Sequence, residues 1–395
     1  MGDNAEETGG PIIGPTLGDG PSKRTMPRDY RIALKPANGT DTRAAAAVRE
    51  ATGRRQSMNG FEDTYVDVID YILRITHRIW EDQDVGYIYD TYAPGCFVFD
   101  DSGANWGVER VVTGTMQSLH AFPDLRSYAD DVIWAGSDSE GFVTSHRYIT
   151  TGHHLGPWQY GPATGRPVTM WGIANCVVKD NEIFEEWVLY NTATKLAQVG
   201  VNVAEAARAY GNEMHAFPAA GRYLPEVHRL EGGRKPEYYP ELAPGEFDPE
   251  HFARKLFHDA YNRRDLSTID RAYATTARWR SASNRSGTGP QDVKGFARSL
   301  MATFPDLGMR VDEVYWMGND ADGYRLSVRW SASGSHRGFG LYGSPTGRRV
   351  RLWGISQLYV SVTEHGPRVT EDWTMFNEFD VMAQILADEP AQLVP

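Results

Sequence analysis

The sequence predicts an α+β protein in which two copies of one domain follow an irregular N-terminal arm. Within each copy, apolar residues first recur at helical spacing and then alternate along runs bounded by turn residues. This pattern indicates helices packed on one face of an antiparallel sheet. A set of identical residues also recurs at one long spacing, which indicates a duplicated domain rather than a solenoid of small repeats.

The elements of the first copy follow in order from this pattern. An amphipathic helix is predicted over residues 62–82, a shorter one over residues 85–92, a third around residues 111–119 and a last one over residues 192–212. Alternating runs between these helices predict the strands of a strongly bent antiparallel sheet. The predicted strands are 96–100, 127–135, 141–152, 166–178 and 182–189.

Changes in composition predict the domain boundaries. Residues 1–58 are rich in Gly, Pro, Asn, Asp and Thr and show little periodicity, so they are predicted to form an irregular arm. The first domain is assigned to residues 59–212 and the second to residues 246–392. Residues 213–245 between them are rich in Pro and Gly and are predicted to be a linker.

The duplication is visible as sequence motifs that occur twice in the chain. The sequence Phe-Pro-Asp-Leu beginning at Phe122 reappears at Phe304, 182 residues later. Gly, Arg, His, Tyr-Gly, Thr-Gly-Arg and Trp-Gly positions keep the same offset, which then grows to 186. The second copy therefore has four extra residues, which we assign to the last hairpin turn, around residues 364–368.

Charge and composition exclude several classes of partner. The chain of 395 residues carries 40 Lys and Arg against 52 Asp and Glu, a net charge of −12, which disfavours nucleic acid and anionic membranes. No apolar run is long enough for a membrane helix. Phosphate-loop and dinucleotide fingerprints are missing, and neither the His nor the Cys residues have metal-ligand spacing, so no cofactor and no metal are expected. Without a secretory signal at Met1, a cytoplasmic location with reduced Cys96 and Cys176 is expected.

A series of residues in each copy resembles a known family. Phe-Pro-Asp-Leu after a helix is followed by Arg147, by a Gly-x-His ending at His154, by Tyr160-Gly161 and Thr164-Gly165-Arg166, and by Glu185-x-Trp187. This order resembles the SnoaL-like polyketide cyclases of the NTF2-like superfamily, over about residues 61–200 and 247–386.

The resemblance implies two NTF2-like cones in tandem, each with helices packed on a strongly curved antiparallel sheet. It also implies a cofactor-independent cyclase, isomerase, hydratase or lyase acting on a small organic molecule in the cone of domain 1. Cones of this family often pair through their sheets, so an intramolecular pseudo-dimer is expected, with Trp134 or Trp316 as candidate contacts and a homo-oligomer left open. The alternative is a ligand-binding or assembly protein without turnover, because fold alone does not define activity.

One departure from the family supports that alternative. Its known cyclases carry a catalytic Asp four residues after the Trp of Glu-x-Trp, where this chain has Asn191 and Asn377. An amide cannot take up a proton at neutral pH, although its NH₂ group could hold a carbonyl or enolate oxygen.

Strand alternation then selects the candidate residues of domain 1. If Asn191 faces the cavity, Glu185 and Trp187 share its side of the strand, and a Trp-lined Glu185 suits acid–base chemistry. The alternative is an ion pair from Glu185 to Arg147 or Arg166. His154, His153 and Asp100 are the other catalytic candidates, although a His at a strand bend also serves as a backbone cap. Further substrate contacts are assigned to Arg147, Trp171, Tyr160 and His120.

The second copy is poorer in groups that titrate near neutral pH. Ala302, Ser335 and Ser281 stand where the first copy has His120, His153 and Asp100. The chemistry is therefore expected in copy one. The corresponding pocket residues of copy two are His336, Arg329, Glu371, Trp373 and Asn377.

Overall fold

A computed structural model describes residues 56, 58–101, 103–137, 139–216, 239–243 and 245–388, with only the backbone for 214–216. Almost all of the predicted arm and most of the predicted linker lie outside these residues. The assigned boundaries 59–212 and 246–392 therefore stay predictions, while the repeated helices and strands within them can be described.

Domain 1 combines helices with six strands; five of these strands were predicted from the sequence, and β2 was not. Its elements are α1 (Val68–Trp80), α2 (Ile88–Thr91), β1 (Tyr92–Asp100), β2 (Gly103–Trp106), α3 (Val108–Ala121), β3 (Arg126–Ser137), β4 (Gly141–His153), β5 (Pro167–Lys179), β6 (Glu182–Leu189), α4 (Thr192–Val199) and α5 (Val203–Ala216).

Domain 2 repeats this arrangement. Its elements are α6 (Pro249–Phe257), α7 (Ser267–Ala272), β7 (Tyr273–Ser281), β8 (Ser286–Thr288), α8 (Gly289–Thr303), β9 (Gly308–Asn319), β10 (Gly323–Ser335), β11 (Arg349–Thr363), β12 (Gly366–Phe376) and α9 (Glu378–Leu386).

Each domain has one sheet of six strands with the same topology. The strand orders are β2-β1-β6-β5-β4-β3 and β8-β7-β12-β11-β10-β9. Neighbours are antiparallel except β1 with β6 and β7 with β12, which run parallel. The predicted fold class, two NTF2-like α+β domains in tandem, is confirmed, and each sheet is mixed because its first strand joins beside its last.

Local sequence explains where the helices of domain 1 start and stop. Asp67 caps α1 by accepting a hydrogen bond from the Asp70 amide at 2.7 Å, which satisfies a helix N–H group. The helix predicted over residues 192–212 is two helices, because Gly200 adopts φ 84°. This left-handed backbone favours glycine, the usual residue just past the end of a helix.

The two sheets pack against each other through the faces that turn away from their own helices. Four tryptophans meet there: Trp171 and Trp373 have ring centres 5.2 Å apart, and Trp187 and Trp353 are 5.3 Å apart. Polar pairs also cross the boundary, such as the bond from the Asn175 amide to the Ser327 hydroxyl at 3.1 Å. These contacts form one continuous buried core between the domains.

The tryptophans proposed from the sequence as contacts do not lie in this interface. Trp134 lies opposite Thr144 of the neighbouring strand, on the side of the sheet that faces the helices of domain 1. Its ring packs edge-on against Phe142. Trp316 pairs with Leu326 on the equivalent side of domain 2. Composition cannot distinguish the two faces of a strand when both are buried, and in this protein both faces bury large side chains.

Candidate functional site

A cavity of about 700 Å³ lies between the sheet and the helices of domain 1. Its wall is aromatic on several sides and carries buried ionisable groups, a combination typical of small-molecule sites. The side chains that matter here are Tyr92, Asp100, Asp101, His120, His146, Tyr148, Trp158, Tyr160, Glu186, Tyr190, Lys195 and Phe379.

Glu186 is the acidic group on the sheet side of the cavity. It stands on β6 opposite Val98 of β1 and Cys176 of β5, and its carboxylate accepts a hydrogen bond from the Tyr92 hydroxyl at 3.0 Å. Burial raises the pKa of Glu186 to about 7, against the opposing effect of the tyrosine. A carboxyl group in this range can both give and take a proton at neutral pH.

Asp101 is a second buried acid, held at the start of α4. Its Oδ2 atom accepts hydrogen bonds from the Thr192 hydroxyl at 2.7 Å and the Thr192 amide at 3.2 Å. Its Oδ1 atom is buried without a hydrogen-bond partner. Burial raises the pKa of Asp101 to about 7, so this carboxyl group also suits proton transfer.

Lys195 stands on the same helix, one turn after Thr192. Its ammonium lies 5.2 Å from the ring centre of Phe122, 5.3 Å from Trp158 and 6.0 Å from Tyr190. Burial lowers the pKa of Lys195 to about 8, and Asp101 opposes this shift.

Two further polar groups are buried in the wall without a hydrogen-bond partner. These are the Nε2 atom of His146 and the hydroxyl of Tyr148, two positions apart on β4 and therefore on one face. Burial, reinforced by the charge of Arg147, lowers the pKa of His146 to about 4. A buried unpaired polar atom is costly, so a bound ligand that pairs with these atoms would gain affinity.

The equivalent space in domain 2 is filled. A residual volume of about 30 Å³ remains there, enclosed by Trp279, Phe296, Trp330 and Phe376 among others. At the offsets of the repeat, Trp330 replaces Tyr148, Phe376 replaces Tyr190, Val328 replaces His146 and Val381 replaces Lys195.

One buried acid is nevertheless retained in domain 2. Asp372 stands in place of Glu186 and accepts a hydrogen bond from Tyr273 at 2.6 Å, as Glu186 does from Tyr92. Burial raises the pKa of Asp372 to about 6. The Tyr–acid pair is thus common to both domains, but only domain 1 has space beside it.

Domain 2 contributes one residue to the cavity of domain 1. Phe379 on α9 lines the cavity, with its ring centre 5.5 Å from Tyr160 and 5.6 Å from Tyr210. Without this aromatic ring the cavity would lack part of its wall.

The structure places three of the sequence-predicted site residues in this cavity: Asp100, His120 and Tyr160. The carboxylate of Asp100 accepts a hydrogen bond from the side-chain NH₂ group of Asn105 at 3.2 Å.

Four other predicted residues lie on the opposite face of the sheet. Glu185, Trp187, Arg147 and Trp171 do not line the cavity. The ring N–H of Trp187 donates to Glu185, and Trp187 and Trp171 pack against domain 2. The expected ion pair of Glu185 is not formed either, because Arg147 bonds Asp130 at 2.6 Å.

The conformation of Asn191 explains why the wrong face of β6 was predicted to line the cavity. Strand β6 ends at Leu189, and Asn191 adopts φ 55°, so strand alternation does not continue to it. Its side-chain oxygen accepts hydrogen bonds from the Thr194 hydroxyl at 2.8 Å and from the Ser283 amide of domain 2 at 3.1 Å. The expectation that Asn191 and Glu185 share the cavity is therefore wrong, and Glu186 occupies the cavity side.

Neither of the two candidate histidines at the end of β4 lines the cavity. His153 is exposed and bonds Asp124 at 2.6 Å. His154 is buried, with its Nδ1 atom 3.2 Å from the Thr164 hydroxyl and its ring 5.2 Å from Phe122. Burial lowers the pKa of His154.

None of the predicted second-copy residues lines the residual space of domain 2. His336 has the same environment as His154, with its Nδ1 atom 3.1 Å from the Thr346 hydroxyl. Arg329 and Trp373 lie in the interface between the sheets, and Glu371 pairs with Arg278. Asn377 caps α9, where its side-chain oxygen accepts from the Trp353 amide at 3.0 Å.

Seven residues of the cavity were not selected as site residues from the sequence: Glu186, Asp101, His146, Tyr148, Tyr190, Tyr92 and Lys195. The repeat register carried a usable signal, because Tyr92 aligns with Tyr273 and Glu186 with Asp372. A buried Tyr–acid pair kept in both copies marks the inner side of the strands.

In the described part of the chain, no group of three or more His, Cys, Asp or Glu side chains is arranged to hold a metal ion. None of the described helices is long and apolar enough to span a membrane.

The family model for SnoaL-like polyketide cyclases matches residues 70–199 and 251–385, which together make up more than half of the chain. The chain therefore belongs to the SnoaL-like polyketide cyclase family, and the two matched segments confirm the tandem arrangement. No curated protein shows significant similarity to it.

Solved structures similar to this chain include three from bacteria. A protein from Jannaschia sp. CCS1, provisionally assigned as a SnoaL-like polyketide cyclase, is 20% identical over 34% of this chain and 92% of its own, with a TM-score of 0.30. IdmH from Streptomyces antibioticus, provisionally assigned as a polyketide cyclase, is 23% identical over 35% of this chain and 98% of its own, with a TM-score of 0.29. AclR from Streptomyces galilaeus, provisionally assigned as a hydroxylase, is 23% identical over 32% and 76%, with a TM-score of 0.27.

Proposed function

We propose that this protein is a cofactor-independent acid–base enzyme that acts on a small organic molecule in the cavity of domain 1. The observation that carries the proposal is the buried carboxyl group of Glu186 beside about 700 Å³ of open space. Its partner in domain 2, Asp372, faces side chains that leave about 30 Å³. Space for a substrate thus coincides with ionisable groups in one domain only.

The roles follow from the environment of each group. Glu186 takes a proton from an activated carbon or returns it, because its pKa near 7 supports both steps. Asp101 is the second proton donor, held by Thr192. Tyr148 and His146 present unpaired polar atoms that can hold a carbonyl or enolate oxygen. Asp100, His120 and Tyr160 complete the polar wall.

We also propose that domain 2 serves as a tethered partner, an intramolecular pseudo-dimer half without its own reaction. The interdomain aromatic contacts and the position of Phe379 support this role. Tethering keeps the local concentration of domain 2 high, so even a modest interface stays closed.

Proton abstraction from a ketone tests the proposed chemistry. In D₂O, an enzyme that forms an enolate from 2-tetralone catalyses exchange of the ketone's α-hydrogens for deuterium. NMR follows this exchange directly. The protein is expected to accelerate this exchange, and Glu186→Gln is expected to lower the rate by about 10²-fold or more. The matched control Asp372→Asn removes the equivalent buried acid of domain 2 and is expected to leave the rate unchanged.

A non-catalytic ligand-binding protein is the second candidate. Asn191 and Asn377 favour it, because both stand where the family's cyclases have their catalytic Asp, and an amide cannot take up a proton at neutral pH. Binding of 2-tetralone without any acceleration of exchange would support this candidate and count against the enzyme.

A further inference from the structure

Lys195 is the ionisable residue of the cavity that simple acid–base chemistry leaves without a role. It is 8% exposed and lines the cavity. Among the described residues its ammonium forms no hydrogen bond and no ion pair. Its contacts are the rings of Phe122, Trp158 and Tyr190.

Buried lysines with a structural role are normally paired with a carboxylate. Lys195 is not, and the fold does not require it, because domain 2 has Val381 at this position. It also lies in the first turn of α4, where the positive end of the helix dipole disfavours an ammonium. These features, together with its burial, leave a larger neutral fraction of this amine near pH 7 than an exposed lysine has, which is how nucleophilic lysines are activated.

Building on the proposed function, we propose that Lys195 attacks the carbonyl carbon of an aldehyde or ketone bound in the domain 1 cavity and forms an imine with it. The neutral amine adds to the carbonyl carbon, a new C–N bond forms, and the carbonyl π electrons pass to oxygen. The nitrogen then loses a proton and the oxygen gains one, which gives a carbinolamine. Protonation of the carbinolamine hydroxyl by the neutral carboxyl group of Asp101 and departure of water then leave a protonated imine beside the Asp101 carboxylate, so one water leaves for each carbonyl consumed.

Asp101 is the group that serves these proton transfers. It acts electrostatically on Lys195, and its Oδ1 atom is unpaired. With a pKa near 7, it can accept the proton from nitrogen and donate one to the departing hydroxyl. The imine nitrogen would then withdraw electrons from the adjacent carbon and ease proton removal by Glu186.

Reductive trapping tests the imine in the wild-type chain. The protein is incubated with benzaldehyde and sodium cyanoborohydride at pH 7, and peptide mass spectrometry measures benzylation at each lysine. Lys195 is expected to react at least about tenfold faster than Lys179, because burial lowers the pKa of Lys195 to about 8 and leaves far more neutral amine at this pH than an ordinary lysine has. Excess 2-naphthol, which competes for the cavity, is expected to suppress labelling of Lys195 but not of Lys179.

Two variants complete the test. Lys195→Arg is expected to lose the preferential label, and Lys179→Arg to keep it. Labelling of Lys195 no faster than Lys179 in folded wild-type protein overturns the imine. Deuterium exchange of 2-tetralone that still depends on Glu186 would then leave the proposed function standing. Preferential labelling of Lys195 without deuterium exchange of 2-tetralone would support imine formation at Lys195 and contradict the acid–base role of Glu186.

Discussion

The guanidinium of Arg147 in domain 1 lies 4.1 Å from the ring centre of Trp373 in domain 2. The contact is reciprocal, because Arg329 of domain 2 lies 3.9 Å from the ring centre of Trp187 in domain 1. At the offsets of the repeat, Arg147 corresponds to Arg329 and Trp187 corresponds to Trp373, so the two contacts are equivalent. Interfaces in which a patch contacts its own copy have this symmetry.

Arg147 should therefore be a main determinant of how the domains dock. It also bonds Asp130 at 2.6 Å, Gln357 at 2.8 Å and Tyr359 at 3.0 Å. Arg147→Met removes the buried cation and leaves the Asp130 carboxylate and the Gln357 side-chain oxygen without this donor, so we expect a loss of about 3 kcal/mol in the free energy of unfolding.

Denaturant unfolding measures this loss. Arg126→Met is the control, because Arg126 forms an exposed ion pair with Glu81 and such pairs contribute about 0–1 kcal/mol. Equal stability of Arg147→Met and wild type would show that the Arg147 contacts do not hold the domains together.

The buried acid in the cavity should make stability depend on pH. The pKa of Glu186 rises from 4.5 to about 7 on folding, so between these values the folded protein binds more protons than the unfolded chain. Its contribution is full below pH 4.5 and is lost as the pH rises through 7. The loss amounts to about 3 kcal/mol by the cost of one pKa unit.

Chemical denaturation of wild type and Glu186→Gln at pH 5 and pH 8 tests this linkage. The stability of Glu186→Gln relative to wild type is expected to be higher at pH 8 than at pH 5. Glu140→Gln, at an exposed turn between β3 and β4, is the control. A difference for Glu186→Gln that does not vary with pH would exclude a raised pKa.

Domain 2 should affect ligand affinity through Phe379. Phe379→Ala removes a ring that lines the cavity and contacts Tyr160. We expect the Kd for 2-naphthol to rise by about tenfold, a change of about 1.4 kcal/mol. Calorimetric titration gives the Kd, and Phe339→Ala, which alters a 75% exposed ring of the same domain, should leave it unchanged. An unaltered Kd for Phe379→Ala would show that domain 1 binds its ligand alone.

The sequence predicted the duplication and the fold, because these depend on periodicity and on identities spread over many residues. It expected the chemistry in domain 1 but also a pocket in domain 2, where the structure leaves about 30 Å³. It failed on which face of β6 holds the chemistry. That choice depended on extending strand alternation to Asn191, where the backbone turns to φ 55°. One residue of error moves every side chain to the other face. Lys195 was also beyond reach, since its approach to Phe122 and Trp158 depends on how α4 packs.

The most direct test of a single ligand site in domain 1 exchanges two equivalent residues, Tyr148 in the cavity of domain 1 and Trp330 in the filled space of domain 2. Tyr148→Trp gives domain 1 the residue of domain 2, and Trp330→Tyr does the reverse. In calorimetric titrations with 2-naphthol, wild type and Trp330→Tyr are expected to bind one molecule per chain with the same Kd. Tyr148→Trp is expected to raise the Kd by about 100-fold or more, a cost of about 2.8 kcal/mol. Binding by Tyr148→Trp at wild-type affinity, or two molecules bound per wild-type chain, would contradict the assignment of the site to domain 1.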